Sequence, residues 1–308
     1  MIRFSVTILG SSSATPTSER NPTSQLVNHR DKLFMIDCGE GTQVTIRKMK
    51  VHFQRINHIF ISHLHGDHFY GLIGLISSMH LLGRDHELHV YGPPELKEVI
   101  DIQLRVSQTT LIYPLIFHAT KCEKPETLFE NNYLEIISFP LNHRIPTTGF
   151  LFREKAGLRK VNKEKALEIK IPAWAYERIR KGEDFTDDNG LIYHNSVLTI
   201  DPPPPRSYAY CSDTAYYEPV IQSIGNADLL YHEATFMNDR EANAIDKFHS
   251  TAAQAAKIAL QARAKKLLIG HFSARYDELT PLLNEAKAVF EESYLAEEGM
   301  TFSIPQLT

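Results

Sequence analysis

Ile59-Phe60-Ile61-Ser62-His63-Leu64-His65-Gly66-Asp67-His68 reads as an apolar, β-favouring strand that runs straight into four potential metal ligands. Alternation along an extended turn sets His63 and His65 on one side, and Gly66 is expected to supply the bend that turns Asp67 and His68 elsewhere. Imidazole and carboxylate groups crowded into six residues suit zinc, with manganese or iron as second choices. An open coordination position would make such a site catalytic. One loop cannot supply the ligands of two metals, so others must come from elsewhere in the chain.

His143, Asp213 and His271 each follow a strand-like segment, ending at Phe139, Cys211 and Ile269 respectively. Taken singly, His143 or His271 is an ordinary loop histidine and Asp213 a turn former or helix cap. What links them is the shared position just past a strand end. In all, strand-length apolar segments run from Phe4 to Leu9, Lys32 to Ile36, His58 to Ser62, Leu88 to Tyr91, Tyr133 to Phe139, Tyr208 to Cys211, Asp228 to Tyr231 and Lys266 to Ile269. Helical periodicity lies between some of them, most clearly from Thr251 to Ala264, where Thr251 and Gln254 have capping-box spacing. Strands and helices are therefore mixed, an α/β chain.

The remaining composition is that of an ordinary globular protein. Of 308 residues, 33 are Lys or Arg and 37 Asp or Glu, a net charge of −4, with 43% hydrophobic and 23% charged residues. These values exclude a disordered, collagenous or coiled-coil chain. Histidine alone stands out, at 15 residues. Three scattered cysteines, Cys38, Cys122 and Cys211, read as reduced thiols. Neither a secretory leader pattern nor 18 consecutive apolar residues is present, so a cytoplasmic location is expected. One segment departs from the average: Arg153 to Lys181 holds ten basic residues against four glutamates, a net of +6, together with the single tryptophan, Trp174. Charge alone divides this segment between a polyanion-binding patch and a solvated helical insertion.

The HxHxDH loop with separated His, Asp and His resembles the metallo-β-lactamase superfamily, whose fold is an αββα sandwich with metals at one edge. Asp37-Cys38-Gly39-Glu40-Gly41-Thr42-Gln43, His232-Glu233-Ala234-Thr235-Phe236, His249-Ser250-Thr251 and His271-Phe272-Ser273-Ala274-Arg275-Tyr276 resemble motifs of the ribonuclease Z family within it. That resemblance spans nearly the whole chain. It implies a single domain over residues 1–308 and a zinc-dependent endoribonuclease that trims the 3′ trailer of precursor tRNA and leaves a 3′-hydroxyl. It implies two zinc ions per subunit, one on His63, His65 and His143, the other on Asp67, His68 and His271, with Asp213 bridging. Asp67 is the candidate to accept or orient the proton of the attacking water, and His249, held by Glu233, to protonate the leaving oxygen. Asp37 is a candidate carboxylate orienting a metal-binding histidine, and His232 is motif context only.

The resemblance also implies an inserted tRNA-binding arm over about residues 150–200, into which the basic segment falls, and a homodimer in which one subunit's arm holds RNA that the other cuts. Candidate RNA contacts are Lys160, Lys163, Arg178 and Lys181 on the arm, with Arg20 and Arg275 near the acceptor stem. Two departures from the family pattern stand out. Ile171-Pro172-Ala173-Trp174 replaces a Gly-Pro pair, and Ser18 stands for a lysine in Pro16-Thr17-Ser18-Glu19-Arg20-Asn21. Two other readings share the sequence evidence: a phosphodiesterase of the same fold acting on cyclic nucleotides or other small diesters, and a non-catalytic RNA-binding relative.

Overall fold

The computed structural model describes residues 2–306. Nine strands come first: β1 (Phe4–Gly10), β2 (Ser24–His29), β3 (Lys32–Cys38), β4 (Ile56–Phe60), β5 (Leu88–Gly92), β6 (Leu115–Ala119), β7 (Glu126–Glu130), β8 (Leu134–Pro140) and β9 (Thr148–Glu154). Four two-residue strands follow, β10 (Lys160–Val161), β11 (Phe185–Thr186), β12 (Ile192–Tyr193) and β13 (Thr199–Ile200). The chain then forms β14 (Ser207–Cys211), β15 (Leu229–Glu233), β16 (Leu267–Gly270), β17 (Ser293–Leu295) and β18 (Thr301–Ser303).

Two seven-stranded sheets result, ordered β18-β1-β2-β3-β4-β5-β6 and β17-β16-β15-β14-β9-β8-β7. Each is half antiparallel and half parallel: β3 to β6 run parallel in the first, β14 to β17 in the second. Large apolar side chains fill the space between the sheets, among them Phe4, Phe34, Phe60, Phe150, Phe152, Tyr208, Tyr210 and Tyr231. Outside the first sheet, Leu72, Leu75, Ile76 and Met79 of helix Leu72–Leu81 pack on Met35 and Ile59. Outside the second, helix Ala252–Gln261 buries four alanines and one isoleucine, Ala252, Ala255, Ala256, Ile258 and Ala259. The expected capping box is present, with Thr251 accepting from Gln254 N and Gln254 accepting in return, a motif worth about 1 kcal/mol. The four layers are an αββα sandwich, as expected.

Strand limits differ from the sequence reading where polar contacts intervene. β4 stops at Phe60 because the amide and hydroxyl of Ser62 both donate to the Asp37 carboxylate, at 2.7 and 2.9 Å. β2 escaped the pattern because three of its polar residues, Ser24, Gln25 and His29, are buried like apolar ones.

The insertion leaves β9 after Glu154 and returns to β14 at Arg206. Arg206 clamps this root: its guanidinium donates to both Glu154 carboxylate oxygens and to the carbonyls of Ile2 and Ile304. Between the two lie β10 paired with β13, β11 paired with β12, and a core of six buried residues, Ala166, Ile171, Ala175, Ile179, Phe185 and Leu198. Residues 155–206 carry ten basic and eight acidic side chains, a net of only +2, because Glu183, Asp184, Asp187, Asp188 and Asp201 follow the basic segment within the same insertion. Arg178 pairs with Glu183 at 2.6 Å, Lys181 with Glu177 at 2.7 Å, and Arg159 with Asp201.

Candidate metal centre

Parallel strands deliver their C-terminal ends to one edge of a sheet, the edge where open α/β sheets place ligands. β3 ends at Asp37 and Cys38, β4 leads to His63, β14 to Asp213, β15 ends at Glu233 and β16 leads to His271. His143 follows the antiparallel β8 to the same place.

Two groups of donors converge there. His63 Nε2 and His143 Nε2 each lie 3.1 Å from His65 Nδ1. His271 Nε2 lies 3.3 Å from both His68 Nε2 and the Asp67 Oδ2 atom. Asp213 stands between the groups. Its Oδ2 faces His63 and His143 at 3.6 and 3.9 Å, and its Oδ1 faces His68 and His271 at 3.3 and 3.2 Å. Tetrahedral ligation at 2.0–2.1 Å puts neighbouring donors about 3.3 Å apart, so these spacings fit a metal cage. Asp213 Oδ1 is buried without a hydrogen-bond partner, and such an orphaned carboxylate oxygen fits the same reading. All seven residues expected as ligands are thus brought together.

The outer nitrogens are held as well. His68 Nδ1 donates to Asp37 Oδ2 at 2.8 Å, His143 Nδ1 to the Phe248 carbonyl at 2.8 Å and His271 Nδ1 to Thr235 Oγ1 at 2.9 Å. His63 Nδ1 lies 3.0 Å from Ser62 Oγ, which in turn donates to Asp37. Each of these contacts fixes a ring and turns the other nitrogen's lone pair into the cage. Asp37 is fully buried at a left-handed φ of 54° and also accepts from Tyr210 Oη at 2.7 Å. It therefore holds two strand ends and two histidines at once, the orienting role its position in the sequence suggested. Ser62 and Thr235 do comparable work and were not foreseen, because a serine or threonine after a strand carries no distinguishing signal.

Gly66 marks the turn that the sequence suggested: it opens the short helix Gly66–Phe69, which carries Asp67 and His68 to a different donor group from His63 and His65. A Cβ there would lie 2.1 Å from the Tyr70 ring, so any side chain would have to displace that exposed ring. At Gly39 a Cβ would lie 2.4 Å from the Asp67 carbonyl oxygen where the two loops cross.

The charges form a coherent field. Burial alone would lower the His68 pKa, but Asp213, Asp67 and Asp37 hold it well above the ordinary value. Burial drives His63 well below it, with the neighbouring His68 adding to the effect. Burial would raise Asp67 and Asp213, yet the surrounding imidazoles keep both carboxyls well below the usual range. A pocket that draws a proton onto His68 in this way is one into which a cation fits.

His249 Nδ1 bonds Glu233 Oε1 at 2.8 Å, and its ring stacks on His271 with centroids 5.4 Å apart. Burial opposes protonation of His249, but the Glu233 carboxylate raises its pKa to about 9. Glu233 is fully buried and accepts from Thr214 N, Thr235 N and Thr235 Oγ1 besides. His232, one residue away, is buried outside both donor groups.

The cage opens into a cleft of about 350 Å³ lined by Ser13, Ala14, Glu40, His65, Asp67, Tyr70, Arg144 and His249 among others. The Ala14 amide donates to Asp67 Oδ2 at 2.7 Å. Arg144 was not singled out from sequence, although it directly follows a candidate ligand. Arg20 is tied by Nη2 to the Tyr276 carbonyl at 2.8 Å, and Arg275 lies over the Phe236 ring at 5.2 Å. Both belong to loops joined to each other beside His271. Lys160, Lys163, Arg178 and Lys181 sit on the insertion, which leaves the sandwich at the opposite end of β9.

Comparison with known proteins agrees with this geometry. One family model, described as the anti-Pycsar protein Apyc1, matches residues 4–152, and a second, the beta-lactamase superfamily domain, matches residues 179–272. Ribonuclease Z of Bacteroides fragilis (strain YCH46) is 46% identical over 304 residues, covering 99% of this chain and 100% of that protein. Ribonuclease Z of Porphyromonas gingivalis (strain ATCC BAA-308 / W83) is also 46% identical, with the same coverage. Among solved structures, the short form of human tRNase Z is 27% identical with a TM-score of 0.73, covering 98% of this chain and 99% of that one. The metallo-beta-lactamase fold protein YhfI of Bacillus subtilis, 18% identical with a TM-score of 0.69 over 98% and 100% of the two chains, shares the fold. A histidine and aspartate cage at the sheet edge and end-to-end identity with these relatives lead to one conclusion: the chain belongs to the ribonuclease Z family of phosphodiester-hydrolysing endoribonucleases.

Proposed function

We propose that this enzyme removes the 3′ trailer from precursor tRNA, using two zinc ions and leaving a 3′-hydroxyl on the tRNA. The observation that carries the metal reading is the division of Asp213, one oxygen facing His63 and His143 and the other facing His68 and His271. His63, His65 and His143 would hold one ion, Asp67, His68 and His271 the other, with Asp213 shared. The all-nitrogen-and-oxygen donor set favours zinc, and it is also compatible with manganese or iron. When bound, such a pair supplies a water acidified enough to attack near neutral pH and neutralises charge on the phosphodiester.

The chain's own groups perform the proton work. Asp67, steadied by the Ala14 amide, orients the attacking water and can accept its proton. His249 lines the cleft with its Nδ1 committed to Glu233, which leaves Nε2 to deliver a proton to the departing ribose 3′-oxygen. Glu233 fixes the ring and favours its charged form. Arg20 and Arg275 would meet the acceptor stem, and Lys160, Lys163, Arg178 and Lys181 the tRNA body. The arm's root lies at the far end of β9 from the cleft, which favours a homodimer in which one subunit's arm holds the RNA that the other cuts. Substrate and the absence of any long apolar helix among the described residues suit a cytoplasmic enzyme.

The test is incubation with 3′-extended precursor tRNA, comparing the wild type with Asp67→Ala and sequencing product ends. We expect trimming to a 3′-hydroxyl by the wild type and its loss in the variant. Unchanged trimming by Asp67→Ala would refute the site, and absence of bound metal after gentle purification would refute the mechanism.

A further inference from the structure

A second cavity opens at the same sheet edge, two strands along from the metal centre. β5 ends at Gly92 and continues into Pro93 and Pro94, and β6 ends at Ala119 and continues into Thr120. These residues, with Leu64, Ile145 and Pro146, line about 450 Å³ of mainly apolar space. Leu64 lies between His63 and His65, and Ile145 follows Arg144, so chain neighbours line the two spaces: His65 and Arg144 the metal cleft, Leu64 and Ile145 this cavity. We propose that it receives an unpaired nucleobase from the single-stranded 3′ end of the RNA, beside the bond that is cut. The inference rests on the reading of the enzyme as a tRNA trailer nuclease.

Three observations select that occupant. The walls are proline rings and branched aliphatic chains, flat or smooth surfaces against which an aromatic base packs, whereas a duplex is too broad to enter. Thr120 is only 4% exposed, and its hydroxyl reaches no hydrogen-bond partner. Burying an unsatisfied hydroxyl destabilises a protein, and a polar edge of a base seated against this wall would satisfy it. Glu95, Lys121 and Glu123 line the opening, and neither carboxylate forms an ion pair among the described residues. Burial and then these two carboxylates raise the Cys122 thiol between them. Unpaired carboxylates accept from an exocyclic amine, so adenine, cytosine or guanine is favoured over uracil, while Lys121 on the same rim can meet a phosphate of the adjoining backbone. The RNA backbone would then stay outside, on the side of Arg144.

The experiment walks a single abasic nucleotide through the last unpaired position of the tRNA and the first four of the trailer. It reads kcat/KM for the wild type, Thr120→Val and Cys122→Phe. The wild type should lose roughly tenfold at one position, the size of one stacked base. In both variants that position should become no more sensitive than its neighbours. Thr120→Val removes a hydroxyl that has no partner, so its melting temperature should equal or exceed that of the wild type, which separates a lost contact from a damaged fold. Trimming by the wild type with a flat abasic profile overturns the inference alone, as does a profile that survives in both variants. Failure to trim any precursor while a small chromogenic diester is hydrolysed overturns the functional reading and this inference with it.

Discussion

The metal centre and the arm hang from opposite ends of one strand. At one end of β9 the Thr148 amide donates to the Ser62 carbonyl beside the cage, and at the other Glu154 grips Arg206 at the root of the arm. Seven residues of extended chain place these ends about 20 Å apart. The first region buries its charges and holds nearly every imidazole by a partner. The second leaves its charges in water, ties several of them to one another, and rests on six buried side chains. Chemistry that depends on angstrom placement sits where the two sheets over-determine position. The proposed recognition of a large polyanion, which tolerates looseness, would sit on the smaller core.

The largest expected effects lie at the cage. Asp213→Ala removes a carboxylate that faces both donor sets, and it should lower turnover by more than the roughly 10–100-fold typical of an outer partner, on the order of 10³-fold. Metal content measured beside turnover checks the cause: both should fall together. Asp37→Asn keeps the volume but weakens the acceptor for His68, Ser62 and Tyr210, and should cost about 10–100-fold in metal affinity. An Asp37→Asn variant with unaltered affinity would show that the cage is positioned by its ligands alone.

Replacing residues 156–205 by a short glycine linker tests the other end. We expect kcat/KM on precursor tRNA to fall about 100-fold, with hydrolysis of a small chromogenic diester retained. Equal loss on both substrates would break the division of labour between the regions. The cut must spare Glu154 and Arg206, since the sequence segment 153–181 alone would remove one half of the root and leave the arm's core without Ala166, Ile171, Ala175 and Ile179.

How far the sequence reached follows the same division. The seven candidate ligands were legible because each follows an apolar run, and four of them share one loop. Their supports, Ser62 and Thr235, were not, because a hydroxyl acquires its meaning only when a distant strand brings an imidazole to it. The basic segment was legible as composition but misleading as a field: Arg153 to Lys181 is only part of the insertion, and five acidic residues from Glu183 to Asp201 offset its charge. The Glu154–Arg206 root was invisible for a similar reason, its partners being 52 residues apart.

That root gives a stability prediction. Burial would raise the Glu154 pKa, but His29 and Arg206 bring it down to about 2, from an ordinary 4.5. A depressed carboxyl contributes stability that is complete above about pH 4.5 and is lost as pH falls toward 2. The melting temperature of the wild type should therefore drop as pH is lowered from 5 to 3, and Glu154→Gln, less stable at pH 7 by about 3 kcal/mol, should show a shallower drop. Parallel curves would place the acid sensitivity elsewhere.

The smallest effects separate the arm's own cations. Arg178 and Lys181 already face Glu183 and Glu177, whereas Lys160 and Lys163 have no carboxylate within ion-pair distance among the described residues. A lysine that must first leave a carboxylate gains less from a phosphate than one that faces only water, since exposed pairs contribute up to about 1 kcal/mol. Lys160→Ala and Lys163→Ala should each reduce the salt slope of tRNA binding by about 1, the signature of one lost phosphate contact. Arg178→Ala and Lys181→Ala should change it by less, and neutralising Glu177 in the Lys181 background pair should restore the difference. If all four alanine variants shift the slope equally, the internal pairs of the arm dissolve on contact with RNA, and the arm acts through its full count of ten basic side chains rather than its net of +2.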